Sequence, residues 1–107
     1  MSERILVEKA RMRRRVFQNL DTHLRELRNF MQRLDRDSKL YSFGSVDRGE
    51  HVMMSDVDVM VVTELEPAKV IAELRKAGFD EPFEFHVVDK ETAEQYFRRV
   101  GMVRAVD

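Results

Sequence analysis

The sequence predicts a small α/β (α+β) domain, in which a short mixed β-sheet carries a long N-terminal helix and two further helices packed on it. Three observations predict it. An apolar stripe at spacings of three and four runs from Phe17 to Leu34. Two short apolar runs follow, at residues 40–43 and 57–62, with turn-rich sequence between them. A segment opened by proline and closed by glycine then leads to a third run at residues 83–88. At 107 residues, 43% hydrophobic and 36% charged, the chain suits one core, so a single domain over residues 1–107 is expected.

The first element rests on Phe17, Leu20, Leu24, Leu27, Met31 and Leu34, whose spacing places one apolar face on a helix with polar residues between. That helix is expected as one unbroken element from about Ser2 to residues 35–38. Its stripe suits packing on the chain's own sheet better than a partner helix. Arg13 interrupts the stripe, so the run Arg11, Arg13, Arg14 and Arg15 is expected to project from the core and stay hydrated.

Residues 40–43, aromatic-rich and stopped by Gly44, read as a first strand. Residues 57–62, β-branched and almost continuously apolar, read as a second strand buried on at least one face. Pro67 suits the first turn of a helix, Val70, Ile71 and Leu74 form its apolar side, and Gly78 closes it. Residues 83–88 alternate and form a third strand. Asp89 or Thr92 caps a last helix carrying Tyr96 and Phe97, and residues 101–107 are expected to fray.

Cysteine is absent, which excludes disulfides and thiolate metal sites and favours a cytoplasmic setting. No apolar stretch reaches the roughly 18–20 residues that span a bilayer. The N-terminus MSERILVEKARMRRR has charges where a secretory signal needs a continuous apolar segment. Residues 1–36 carry 10 Lys and Arg against 5 Asp and Glu, and residues 37–107 carry 9 against 15, so the halves are +5 and −6. A solvated basic face over an acidic domain explains this asymmetry better than an anionic partner, and nucleic acid is not the expected ligand.

The chemistry is concentrated in GSVDRGEHVMMSDVD, residues 44–58, and in PFEFHVV, residues 82–88. Side chains alternate along a strand, so Asp56 and Asp58 face one way with Cα atoms about 6.5 Å apart, while Val57, Val59 and Val61 face a core. Glu84 and His86 share a face opposite Phe83, Phe85 and Val87. If the second and third strands are neighbours, Asp56, Asp58 and Glu84 converge. Three carboxylates held together repel, and a hard divalent cation, Mg²⁺ above all, or an arginine offsets that repulsion. Gly44 and Ser45 add a backbone approach and a hydroxyl donor suited to phosphate.

Three other readings fail on their motifs. Gly44 and Gly49 have P-loop spacing but Glu50-His51 stands where Lys-Ser/Thr is needed, there is no G-x-G-x-x-G, and the acids do not match an EF-hand loop. Arg48 suits either a phosphate or Asp47. His51 and His86 read as structural or solvated, and Met53 and Met54 as packing for the loop.

A Gly-Ser pair, some ten residues, an Asp-x-Asp opening an apolar strand, and a carboxylate on a later strand together resemble the nucleotidyltransferase superfamily of the DNA polymerase β type. FGSVDRGEHVMMSDVDVMVV with PFEFHVV is similar to its minimal nucleotidyltransferases, small prokaryotic proteins. The resemblance covers the chain from the first helix to the third strand. It implies that Gly44, Ser45 and Arg48 meet the nucleotide phosphates, and that Asp56, Asp58 and Glu84 are the catalytic, metal-holding carboxylates. It further implies two Mg²⁺ ions, ATP as substrate, and transfer of AMP to a hydroxyl with release of pyrophosphate.

Larger relatives carry further domains for base or acceptor, so the acceptor is expected on a partner. Minimal nucleotidyltransferases are commonly encoded beside helical HEPN proteins, which implies an antitoxin that neutralises its partner by attaching AMP. Two other classes compete: a non-catalytic module that blocks the partner by binding alone, and a nucleic-acid-binding protein using the basic first helix.

Overall fold

The computed structural model describes residues 3–43, 56–100 and 103–106. Gly44, Ser45, Arg48, His51, Met53 and Met54 lie outside these. The elements run α1 (Glu3–Gln18), α2 (Leu20–Leu34), β1 (Lys39–Phe43), β2 (Val57–Val62), α3 (Pro67–Lys76), β3 (Phe83–Val88), α4 (Lys90–Val100) and β4 (Arg104–Ala105). This is the expected small α+β fold, with the three predicted strands at their predicted places. The sheet order is β3-β2-β1-β4, with β2 and β3 parallel and the other two pairs antiparallel.

Alternation along β2 divides the molecule into layers. Val57, Val59 and Val61 are buried on one face against Leu20, Leu24, Leu27 and Met31 of α2, Val70 and Leu74 of α3, and Val16 of α1. Met60 lies on the other face with Phe43 of β1 and Ala93 of α4, flanked by Tyr41, Tyr96 and Phe97. The stripe read from the sequence thus packs on the chain's own sheet. Pro67 occupies the first turn of α3, and Gly78, just past its end, has φ +99°, a conformation that suits glycine.

Two expectations need correction. The first helix is not continuous: it breaks at Asn19, where φ is −126° and ψ is 40°. The Asn19 amide side chain donates to Arg15 O at 3.2 Å, competing with the helical ladder, and its backbone N–H is shared between Arg15 O and Val16 O. Residues 103–106 do not simply fray. Residues 104 and 105 pair with Ser42 and Tyr41, and Val106 N–H donates to Leu40 O at 2.9 Å. Val103 and Val106 pack on opposite faces of the sheet, which holds β4 on an edge that β1 would otherwise leave open.

Candidate active site

Parallel pairing of β2 and β3 sets Asp58 directly opposite Glu84, and antiparallel pairing sets Phe43 on the other side of Asp58. Asp58, Glu84 and His86 all project from the face covered by α4. One ligand atom from each lies within 4.8 Å of the others. His86 Nε2 is 3.1 Å from Asp58 Oδ1, with the two side chains 39% and 28% exposed. The imidazole meets Phe43 edge to face at 5.1 Å, and Phe43 in turn meets Tyr96 of α4 at 5.5 Å. An aromatic wall therefore supports one side of a polar cluster in which Glu84 is exposed.

Asp56 is placed differently. It precedes β2, is exposed, and its carboxylate lies 4.0 Å from the guanidinium of Arg13 on α1. The Arg13 side chain is only 15% exposed, which corrects the expectation that all four arginines of that run stay hydrated; Arg11, Arg14 and Arg15 do lie at the surface. Both remedies for crowded carboxylates thus have a place here: an arginine beside Asp56, and room for a cation at Asp58 and Glu84. Two carboxylates at this separation in a water-like dielectric repel by about 1 kcal/mol. Two carboxylates and an imidazole form a donor set that fits a divalent cation.

Of the six residues marked out from the sequence, Asp58 and Glu84 are brought together. Asp56 stands two positions up the chain from Asp58 with Arg13, and Gly44, Ser45 and Arg48 are outside the described residues. His86 is the member of the cluster that sequence reasoning set aside. Its signal was the one-residue gap from Glu84, which on a strand means a shared face. Asp89, the next acid along, caps a helix instead, with its Oδ1 accepting the Thr92 N–H at 2.8 Å at the start of α4. The Thr92 hydroxyl and then that N–H hold its carboxyl below the ordinary aspartate value. A cavity of about 590 Å³, lined by Asp35, Lys39, Thr63, Lys90 and Phe97 among others, opens at the far end of β2, away from the cluster.

The family model for the nucleotidyltransferase domain matches residues 24–101. A crystal structure of an inferred nucleotidyltransferase superposes with a TM-score of 0.65 and 27% identity, over 79% of this chain and 98% of that one. A second inferred nucleotidyltransferase, from Sulfolobus solfataricus, superposes with a TM-score of 0.55 over 81% of this chain and 79% of its own; at 16% identity it speaks for the fold alone. No curated protein sequence matches the chain.

Proposed function

Because the chain belongs to the nucleotidyltransferase domain family, we propose that it transfers AMP from ATP to a hydroxyl of a partner protein, as a single domain spanning residues 1–107. The observation that carries this reading is the register of β2 and β3, which sets Asp58 opposite Glu84 beside the strand end that leads into Gly44-Ser45.

In this reading Asp56, Asp58 and Glu84 hold Mg²⁺, with two ions when nucleotide is present. A bound divalent cation neutralises the triphosphate and supports in-line displacement. The chain's own residues position the reactants. Gly44 and Ser45 approach the phosphates through backbone N–H and hydroxyl donors, and Arg48 adds charge. The acceptor oxygen forms a bond to the α-phosphorus as the bond to the bridging oxygen breaks, pyrophosphate leaves, and Glu84 takes the hydroxyl proton.

The acceptor is assigned to a helical HEPN-type partner that the chain neutralises as a cytoplasmic antitoxin. That assignment is supported by the resemblance of residues 43–62 and 82–88 to minimal nucleotidyltransferases. No described helix is long and apolar enough to cross a membrane. A second reading, neutralisation by binding alone, draws on the Arg13–Asp56 pair, since an arginine already occupies one proposed metal carboxylate. Incubation with Mg²⁺, labelled ATP and such a partner separates the two: catalysis labels the partner, and binding alone leaves it unlabelled.

A further inference from the structure

We propose that His86 is a ligand of the cation held by Asp58 and Glu84, and that its nitrogen makes this site favour Mn²⁺ over Mg²⁺. The inference rests on the reading of Asp58 and Glu84 as metal-holding carboxylates. Three observations carry it. His86 Nε2 and Asp58 Oδ1 are 3.1 Å apart. Ligands at about 2.1 Å on adjacent corners of an octahedron stand about 3.0 Å from each other, so these two atoms have the separation of neighbouring ligands. One oxygen of Glu84 completes the group within 4.8 Å, so one ion can reach all three residues. The ring is also held in place: it sits edge to face on Phe43, and Phe43 is the register partner of Asp58.

Nε2 is the ring nitrogen turned toward Asp58. With the ring proton on Nδ1, the Nε2 lone pair faces the same point. Mg²⁺ is a hard ion that keeps oxygen ligands and water, whereas imidazole suits transition metals, so replacing one oxygen by nitrogen moves preference away from Mg²⁺.

Pulsed electron paramagnetic resonance of Mn²⁺ added to the intact protein reads the ligand directly, and competition with Mg²⁺ reads the preference. The expected wild-type result is a nitrogen hyperfine coupling from one bound imidazole and Mn²⁺ affinity at least about tenfold above that of Mg²⁺. His86→Ala, and His86→Gln as a variant that keeps size and polarity, should abolish the coupling. Each should lower Mn²⁺ affinity by about ten- to a hundredfold, on the scale of groups that support a metal site, while changing Mg²⁺ affinity little. Mn²⁺ bound without nitrogen coupling and released by Asp58→Asn overturns the role of His86 and leaves the carboxylate site standing. Failure of Mn²⁺ to bind, or equal binding by wild type and Asp58→Asn, overturns both that role and the metal site it rests on.

Discussion

Asp56 and Asp58 are two residues apart yet meet different partners. Asp58 lies against the imidazole of His86 at 3.1 Å, and Asp56 lies 4.0 Å from Arg13. If both carboxylates hold metal, Arg13 competes for one of them. Arg13→Gln is then expected to strengthen Mg·ATP binding, and calorimetry on the two proteins checks this; weaker binding would instead place Arg13 among the groups that hold the phosphates. Ser45 contributes a single hydrogen bond to a charged group, about 1.5–3 kcal/mol. Ser45→Ala should therefore slow transfer by roughly ten- to a hundredfold without abolishing it, at about 1.4 kcal/mol per factor of ten. Single-turnover rates with labelled ATP measure it. Asp58 and Glu84 were legible in the sequence as acids on the polar face of their own strands, and the pairing of β2 with β3 is what brings them together. The place of His86 beside them was legible only as a shared face with Glu84: an isolated histidine on a strand is more often packed than reactive, and the cross-strand distance to Asp58 distinguishes the cases.

The elements were legible to different depths for physical reasons. β2 and α3 carry their own boundaries, in a β-branched run and in Pro67 and Gly78. The break at Asn19 left no mark on the apolar spacing, because the stripe continues from Val16 and Phe17 into Leu20 across it. β4 has two residues, too few for a period, and is held by pairing with β1. Leu27 of α2 is fully buried in the larger core, so Leu27→Ala should cost about 2–5 kcal/mol, read from urea denaturation. At the start of α4, Asp89 accepts hydrogen bonds from Thr92 in its ionised form, so its folded pKa lies below the ordinary 3.8. The stabilisation from this cap is present in full above the unfolded value and is lost as pH falls through the folded one. Carboxyl-carbon NMR should give a titration midpoint for Asp89 below 3.8, and a midpoint at or above that value would contradict the cap.

At the scale of the molecule, charge and chemistry are segregated. The basic surplus lies in residues 1–36 and the proposed acidic site in residues 56–86. If Arg11, Arg13, Arg14 and Arg15 formed a nucleic-acid surface, affinity would fall steeply with salt. The expected outcome is no submicromolar, salt-sensitive binding of DNA or RNA, checked by fluorescence anisotropy at two ionic strengths. The described residues set the β2–β3 carboxylates where catalysis can be tested by a single side-chain change. The decisive measurement is the mass of a helical HEPN-type partner after incubation with Mg·ATP and either wild-type protein or Asp58→Asn. Loss of that carboxylate removes the charge proposed to hold the cation, so added AMP is predicted with the wild type and none with the variant. Suppression of the partner's activity by both proteins, with no mass added by either, would contradict AMP transfer and establish neutralisation by binding alone.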